Sequence, residues 1–585
     1  MKQFLITLAG VFVGLLLFFV GLPIILIASL SGKSEDAGGF GQQIVLNIDL
    51  RDAIPDQPSS NPFSAMGRSP SVVSLVETLE KAEKDNSVKG AYIRGNDGSV
   101  SPAAAEEIRD ALQHFRKAGK FVVAHMQSEM DGGVAAYTLL SGADEIWMQG
   151  ASDFQATGMG SETIFLGGTF EKFSLKPQFD QFYEYKNAAN VYTQKTYTAA
   201  HREATTALLT SVYTDLTNGA ANGRSMKGDT LRALIEAGPY TGNEALSKKL
   251  IDKLGRPADA EKAALDRAGK NAELVEFADY EASKQSTPHG DSVALVMGEG
   301  GIITGEGEPQ PFSSEAVFAS DTISEALLEA AKNNDVKAVV FRVSSPGGSA
   351  VASDQIWDAV EKVKQAGKPV IISMGAYAAS GGYYVAAGGD KIVAWPSTIT
   401  GSIGVLGGKI AINDALNKYA GANAESIKVG GPFVGALSAG EPFTNYQRAQ
   451  FHRLMESVYT DFTGKVSVGR KMPIERVREI AKGRVWSGTQ AKSIGLVDEY
   501  GGLRTSLALA RKLGKLKDDA PVIHYPTPQS PFEVLQSFFG VSSEAARAAA
   551  TLQVLLGDER IQQMAKAAND SQAGVRTEMV PMQVK

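Results

Sequence analysis

Three glycine-rich turns in the second half of the chain carry serine side chains that are suited to nucleophilic chemistry. Their sequences are Ser345-Pro346-Gly347-Gly348-Ser349, Ala378-Ala379-Ser380-Gly381-Gly382-Tyr383 and Thr400-Gly401-Ser402-Ile403-Gly404. Each turn follows an apolar run that predicts a buried β-strand. A nucleophilic serine at a strand-to-helix turn needs small neighbours so that its hydroxyl stands clear of the backbone. Ala379, Gly381 and Gly382 meet that need around Ser380.

The glycines of these turns are suited to stabilising an oxyanion. Gly347 and Gly348 leave backbone N–H groups accessible, and together with the N–H of Gly381 they predict an oxyanion hole for acyl transfer. Losing one such donor typically costs about 3–4 kcal/mol of activation barrier. Glycine-rich turns also occur wherever a chain bends tightly, so any one of these turns alone is equally consistent with a structural role.

A serine nucleophile also needs a base. The chain has no G-x-S-x-G motif, which argues against an α/β-hydrolase site, and His125 is the obvious histidine candidate but has no evident orienting partner. A lysine base, as in Ser-Lys enzymes, is the other route. Such a lysine must be neutral, so burial has to lower its pKa from about 10.4 to near 7, a bias of about 4–5 kcal/mol. Residue types alone do not select one lysine.

The elements that would position these residues belong to a long internal repeat. SLVETLEKAEKDNSVKGAYIR at 74–94 parallels TISEALLEAAKNNDVKAVVFR at 322–342, and DALQHFRKAGK at 110–120 parallels DAVEKVKQAGK at 358–368. The first pair predicts an amphipathic helix followed by an apolar strand in each half. We therefore predict a duplication with a spacing of roughly 240–250 residues, in which each copy is long enough to form one domain.

Within each copy, apolar strands alternate with helices, as in strand 338–343, helix 353–366 and strand 369–374. This alternation predicts parallel β-α-β units and therefore an α/β fold with two tandem domains. The first copy is assigned to residues 44–285 and the second to residues 291–525, with the polar stretch 283–291 at their boundary. Residues 44–49 and 293–297 are the predicted first strands. Residues 526–585 form an alanine-rich tail that is predicted to be helical.

The two copies differ at the positions that carry the chemistry. Asp131 stands in the first copy where Ser380 stands in the second, and Met159 stands where Ser402 stands. The Gly347-Gly348 pair has no counterpart in the first copy. Because all three turns have changed together, the difference favours a catalytic role for the second copy over a merely structural one.

Composition excludes several other functions. The chain has 585 residues and a net charge of -7 with no long Lys/Arg run, so a nucleic-acid partner is not expected. It has no cysteine, which excludes disulfides, thiolate metal ligands and a cysteine nucleophile. None of its six histidines pairs with another at the H-x-x-x-H spacing of zinc sites. No metal or other cofactor is expected.

The amino-terminal residues predict a membrane anchor. The segment from Phe4 to Leu30 has no charged side chain and as a helix would span about 40 Å, enough to cross a bilayer. The apolar run is longer than that of a cleaved signal peptide, and no A-x-A site closes it. We therefore expect residues 1–32 to form an uncleaved anchor. Lys2 precedes the run, which favours placing the rest of the chain outside the cytoplasm.

The runs VSSPGGS, MGAYAASGGYY and PSTITGSIGV together resemble the signal peptide peptidase family, within the superfamily of Clp protease and the crotonases. The duplication and the anchor resemble the long form of that family. The resemblance implies that Ser380 is the nucleophile and that Ser402 supports the lysine base. The same resemblance is consistent with an oxyanion hole at Gly347, Gly348 and Gly381.

The resemblance also implies that the base comes from the first copy, in a Tyr-Lys motif that corresponds to Tyr185-Lys186. The general base is therefore expected to be Lys186. The residues around it depart from the family's more familiar YKSAVEPF, so Lys195 is kept as the reserve candidate.

The implied activity is hydrolysis of short apolar peptides, chiefly cleaved signal peptides, through an acyl-enzyme. The resemblance further implies a location in the bacterial inner membrane with the catalytic domains on the extracytoplasmic side. It also implies a homotetramer with enclosed sites. Two alternatives remain open at this point: a crotonase-like acyl-CoA enzyme, and a catalytically inactive scaffold tethered to the membrane.

Overall fold

The computed structural model describes residue 14 and residues 40–58, 70–95, 100–126, 133–284, 289–307 and 317–526. Apart from Gly14, the expected anchor at residues 1–32 lies outside the described residues, as does the tail beyond Pro526. Among the helices described, none is both long enough and apolar enough to cross a membrane.

The first copy is an α/β unit. Its strands are β1 (Ile44–Leu50), β2 (Val88–Gly95), β3 (Phe121–Met126), β4 (Glu145–Met148), β5 (Asp153–Phe154), β6 (Lys176–Phe182), β7 (Tyr240–Thr241), β8 (Lys253–Leu254) and β9 (Glu273–Glu276). Its helices are α1 (Val72–Lys84), α2 (Pro102–Lys117), α3 (Val134–Leu140), α4 (Gly167–Lys172), α5 (Asn190–Thr193), α6 (Ala199–Gly223), α7 (Gly228–Glu236), α8 (Gly242–Ser247), α9 (Pro257–Ala268) and α10 (Phe277–Ser283). A 3-10 turn, Asn187–Ala189, precedes α5.

The second copy has a similar order of elements, although the two copies do not match one for one. Its strands are β10 (Ser292–Glu299), β11 (Gly301–Ile303), β12 (Val317–Ala319), β13 (Val336–Ser345), β14 (Val370–Ala379), β15 (Lys391–Ala394), β16 (Ile399–Gly401), β17 (Val405–Ala411), β18 (Val485–Ser487), β19 (Glu499–Tyr500) and β20 (Val522–Tyr525). Its helices are α11 (Ser320–Lys332), α12 (Ala350–Gln365), α13 (Gly381–Ala386), α14 (Asn413–Ala415), α15 (Asn445–Gly469), α16 (Ile474–Ile480), α17 (Gly488–Ser493) and α18 (Leu503–Leu513), with a π-helical turn at Leu416–Ala420.

The two main sheets are largely parallel. The first has the strand order β8-β4-β3-β2-β1-β9, and all its neighbouring strands are parallel. The second has the order β18-β16-β14-β13-β10-β20, with β15 beside β14 and β19 beside β15, and only its β16–β18 pair is antiparallel. The prediction of tandem α/β units built from parallel β-α-β elements is therefore confirmed.

Strand β14 is longer than its apolar pattern predicts, and the extra length matters for the site. Its first half pairs with β15, and its second half, from Tyr377 to Ala379, pairs with β16. These added hydrogen bonds keep the strand extended past residue 374, where the predicted strand ends, as far as Ala379. The strand therefore delivers Ser380 directly at its carboxyl end.

The two copies are joined by a two-stranded ribbon and by a shared core. Strand β6 of the first copy runs antiparallel to β17 of the second, from Phe182 opposite Val405 to Lys176 opposite Ala411. The hydrophobic core of the first copy also includes buried side chains of the second, among them Leu295 and Leu503. The copies therefore pack as one compact body.

A buried ion-pair network crosses the same junction. Arg342 of β13 is 1% exposed, and its guanidinium lies 2.6 Å from the carboxylate of Asp56 and 2.8 Å from that of Glu107. Arg342 also donates to the hydroxyl of Ser373. Since both carboxylates come from the first copy and the arginine from the second, the network ties the two sheets together.

Candidate active site

Ser380 occupies a strained turn between β14 and α13. Its φ of +54° and ψ of -119° are costly for a residue that has a Cβ atom. Hydrogen bonds hold the turn on both sides: the N–H of Ser380 donates to the carbonyl of Gly401, and its carbonyl accepts from the N–H of Tyr384, both at 2.9 Å. A strand-to-helix turn of this kind presents a serine hydroxyl clear of its own backbone.

The glycines around Ser380 are required by close packing. A Cβ atom on Gly347 would lie 2.7 Å from the Cβ of Ser380, and φ at Gly347 is +110°. A Cβ on Gly381 would lie 2.6 Å from the hydroxyl of Ser353. These distances are too short for any side chain, so the turns that carry Ser380 and Gly347 approach each other backbone to backbone.

The expected oxyanion hole needs one revision. The N–H of Gly347 donates to the hydroxyl of Ser345 at 3.1 Å, so this N–H is already occupied. Within the described part of the chain, the N–H groups of Gly348 and Gly381 have no acceptor. They lie close together, because a Cβ on Gly381 would be 3.1 Å from the nitrogen of Gly348. Gly347 therefore provides space, while Gly348 and Gly381 provide free donors.

Lys186 follows β6 and reaches into the second copy. Its amine nitrogen lies 2.9 Å from the Ser380 hydroxyl oxygen, 2.7 Å from the Ser402 carbonyl oxygen and 3.0 Å from the Ser402 hydroxyl oxygen. A neutral amine has two N–H donors and one lone pair. If both donors are directed to Ser402, the lone pair remains available to accept the proton of Ser380.

Burial makes that neutral form accessible near neutral pH. Lys186 is only 6% exposed, and desolvation lowers the pKa of its amine to about 7. The hydroxyl and carbonyl oxygens of Ser402 orient the amine without adding a negative charge that would raise its pKa. The structure thus brings together Ser380, Lys186 and Ser402, the three side chains that were expected to form the site.

The approach of Lys186 depends on a glycine that sequence reasoning missed. A Cβ on Gly483 would lie 2.4 Å from the Cβ of Lys186, and Gly483 has a φ of +83°. Around it, the N–H groups of Tyr183 and Tyr185 donate to the carbonyl of Lys482 at 3.2 Å. The backbone that carries the lysine is therefore attached to the second copy just beside the site. A single glycine between two basic residues gave no signal of this role.

The other candidate bases lie elsewhere. Lys195 is at the surface, with its side chain 65% exposed and its amine paired with Glu171. His125 is buried, and its Nε2 lies 3.1 Å from the carbonyl oxygen of Gly255, which fits a structural histidine. Asp131, the first-copy counterpart of Ser380, lies outside the described residues, and Met159 is partly buried against the first core.

This arrangement has the chemical parts of an acyl-transfer site. A hydroxyl contacts an amine whose pKa is near 7, and two free backbone N–H groups lie on the turns beside it. The amine can take the hydroxyl proton as the oxygen attacks a carbonyl carbon. The N–H donors can stabilise the negative charge that then develops on the carbonyl oxygen.

Comparison with known proteins identifies the family. The sequence profile of peptidase family S49 matches residues 114–271 and 362–517, one segment in each copy, and that of Clp protease matches residues 313–399. The chloroplastic serine protease SPPA of Arabidopsis thaliana is 29% identical over 537 residues, which cover 90% of this chain and 77% of that protein.

Two bacterial relatives are similar over most of their length. Protease 4 of Haemophilus influenzae is 29% identical over 540 residues, covering 86% of this chain and 85% of the relative. Protease 4 of Salmonella typhi is 29% identical over 499 residues, covering 81% and 78%. These names favour a peptidase over both the acyl-CoA enzyme and the inactive scaffold. The chain therefore belongs to peptidase family S49 and is a serine peptidase of the SppA type, related to Clp protease.

Proposed function

We propose that this protein is a membrane-anchored endopeptidase that degrades cleaved signal peptides and other short apolar peptides with a Ser380–Lys186 dyad. The contact of 2.9 Å between the Lys186 amine and the Ser380 hydroxyl is the observation that carries the proposal. It joins an alcohol to an amine whose lowered pKa suits proton transfer near neutral pH.

The reaction proceeds in two halves. In the first, the Ser380 oxygen attacks the peptide carbonyl and its proton passes to the Lys186 amine, while the N–H groups of Gly348 and Gly381 donate to the oxyanion. The peptide C–N bond then breaks, and the ammonium of Lys186 returns the proton to the leaving amine. This leaves an ester between Ser380 and the acyl half of the substrate.

In the second half, water attacks the ester and gives its proton to the neutral Lys186. The Ser380–acyl bond breaks, and the proton returns to the Ser380 oxygen. The free enzyme is regenerated and a carboxylic acid is released. Ser402 holds the amine in place throughout, because its carbonyl and hydroxyl oxygens both lie within 3.0 Å of the amine nitrogen.

Two features support the choice of substrate and location. Exposed aromatic side chains stand three residues before each member of the dyad, Tyr377 at 44% exposure and Tyr183 at 47%, and such rings favour apolar substrates. Residues 1–32 are expected to form a membrane anchor. Such an anchor would hold the enzyme in the membrane, where signal peptides remain after processing.

Hydrolysis by the full-length protein in detergent tests the proposal. A synthetic signal peptide and a polar peptide of equal length, each with an internally quenched fluorophore, are compared for the wild type and Ser380→Ala. We expect cleavage of the apolar peptide to fall at least about 10⁴-fold in the variant. Wild-type rates from Ser380→Ala would refute the nucleophile, and preferential cleavage of the polar peptide would refute the substrate class.

A further inference from the structure

A cavity of about 610 Å³ lies between the two copies, and none of the proposed catalytic residues lines it. On the first-copy side its walls include Glu106 of α2 and Asp215 and Gly219 of α6. On the second-copy side they include the aromatic rings of Trp395 and Tyr500. The cavity therefore combines a buried and a half-buried carboxylate with aromatic side chains at a junction that the proposed peptidase mechanism does not use.

The duplication allows this cavity to be compared with its counterpart in the second copy. Asp354 is the fifth residue of α12, as Glu106 is the fifth residue of α2. Helices α6 and α15 both have 25 residues and both begin after a threonine cap. When the two helices are aligned from these caps, Asp215 corresponds to Asp461 and Gly219 corresponds to Lys465. Corresponding positions can therefore be compared residue by residue.

In the second copy, the two carboxylates hold an ammonium group. The amine of Lys465 lies 2.9 Å from Asp461, forms an ion pair with Asp354 and lies 2.9 Å from the hydroxyl of Tyr384. It also lies 4.8 Å from the centre of the Trp357 ring. A lysine ammonium thus fills a site made of two acids and two aromatic side chains.

In the first copy the two carboxylates remain, but Gly219 replaces the lysine and Arg109 replaces Trp357, so the primary ammonium is missing and a guanidinium lies nearby. Glu106 is 4% exposed and accepts hydrogen bonds from the N–H and hydroxyl of Ser397, and Asp215 accepts one from the hydroxyl of Thr489 at 2.8 Å. Neither of these neutral partners neutralises a carboxylate charge.

Arg109 compensates the two acids only in part. One of its guanidinium nitrogens donates to the carbonyl of Gly219 at 2.9 Å, and its charge lowers the pKa of Glu106. Burial and the nearby charge of Asp215 act in the opposite direction and are stronger, so the pKa of Glu106 is raised to about 7. Burial raises the pKa of Asp215 as well. The charge of Arg109 therefore does not offset the cost of burying the two acids.

We propose that this cavity binds a primary ammonium group of a peptide, from a lysine side chain or an amino terminus, between Glu106 and Asp215. The two carboxylates accept hydrogen bonds from the bound ammonium, as Asp354 and Asp461 accept them from the ammonium of Lys465. The rings of Trp395 and Tyr500 line the same cavity and add cation–π attraction.

Small amides of the two ammonium types, tested with the full-length protein in detergent, distinguish the sources. Nα-acetyl-lysine amide presents only a side-chain ammonium, alanyl-alanine amide presents only an amino terminus, and Nα-acetyl-norleucine amide presents neither. Binding is followed by calorimetry and by the rise in Tm. We expect saturable binding of at least one ammonium probe and none of the norleucine probe.

Substitution of Gly219 tests whether the probes bind in this cavity. Gly219→Lys restores the residue of the second copy and should abolish probe binding and raise Tm, whereas Gly219→Ala controls for the helix propensity of the new residue and should still bind. The new Cβ would lie 3.3 Å from the end of the Arg109 side chain, which has to shift by a few tenths of an ångström in both variants. If Gly219→Lys does not fold, Asp215→Asn serves instead and should weaken binding at least tenfold.

The outcomes are decisive in both directions. Binding of the norleucine probe as tight as that of the ammonium probes, or unchanged affinity in Gly219→Lys or Asp215→Asn, would overturn the site, as would the failure of every ammonium probe to bind. Peptide hydrolysis is measured in parallel on the same samples. Because Ser380 and Lys186 do not line the cavity, loss of the site and loss of the peptidase are distinguishable results.

Discussion

The amine nitrogen of Lys186 lies 2.9 Å from the hydroxyl oxygen of Ser380, although 194 positions separate the two residues in the chain. The first copy contributes the amine and the second contributes the hydroxyl. The β6–β17 ribbon and the glycine at 483 bring the two together. Neither copy alone contains the pair.

Substitution of Lys186 tests its role as the base. Lys186→Met keeps the length and the apolar part of the side chain but removes the lone pair, so we expect kcat/KM to fall by about 10³-fold or more. Lys195→Met is the matched control, because Lys195 is exposed and paired with Glu171, and it should hydrolyse peptides at the wild-type rate. Loss of activity in Lys195→Met together with full activity in Lys186→Met would identify Lys195 as the base.

The pH dependence of hydrolysis follows from the buried amine. Desolvation lowers the pKa of Lys186 from its ordinary value of 10.5 to about 7. The base works only when it is unprotonated, so kcat/KM should rise about tenfold per pH unit below pH 7 and level off above it. A substrate without ionisable groups isolates this effect. A profile that is flat from pH 5.5 to 9, or that rises only near pH 10, would contradict the assignment.

Gly483 should be required for activity because of its contact with the lysine. In Gly483→Ala the new Cβ would lie 2.4 Å from the Cβ of Lys186, so the lysine backbone has to move and kcat/KM should fall by about 10²-fold. Gly367→Ala is the matched control: its φ of +80° resembles the +83° of Gly483, but nothing lies within 4 Å of its Cβ position. Backbone strain should cost each variant about 1–2 kcal/mol of stability, and Gly483→Ala should lose more because its Cβ also clashes with the backbone of Lys186. Equal activity in the two variants would remove Gly483 from the account.

The buried network at the junction should contribute strongly to stability. Arg342→Met leaves Asp56 and Glu107 buried without their cation, and we expect the free energy of unfolding to fall by about 3–5 kcal/mol. Arg476→Met removes the arginine of an exposed ion pair with Glu479 and should change stability by less than about 0.5 kcal/mol. Denaturant unfolding of both proteins measures the difference. Similar values would show that the junction does not depend on Arg342.

Local pattern was sufficient to predict the second-copy half of the site. Ser380 and its flanking glycines sit in turns whose small residues are visible in the sequence, and alternating strands and helices predicted the parallel sheets. Lys186 was different, because its burial depends on residues about 200 to 300 positions away. Only the resemblance to a family pointed to it, and the structure places its amine beside Ser380.

Other features could not be predicted because they depend on tertiary contacts that the local sequence pattern does not show. The occupied N–H of Gly347 depends on the orientation of the Ser345 hydroxyl, and β14 extends to Ala379 because β16 pairs with it. Arg342 is the last residue of the repeated segment 322–342, as Arg94 is the last residue of segment 74–94. Nothing in these segments shows that Asp56 and Glu107 surround Arg342.

Labelling with a fluorophosphonate tests the central claim most directly. The mapped label identifies the activated hydroxyl, and the dependence of labelling on pH and on Lys186 identifies the base that activates it. The full-length protein is labelled between pH 5.5 and 9, digested, and the modified peptide is mapped by mass spectrometry. The account predicts a single label on Ser380, with a rate that rises with a midpoint near pH 7 and is lost in Lys186→Met. A label on another residue, or equally rapid labelling of Ser380 in Lys186→Met, would contradict it.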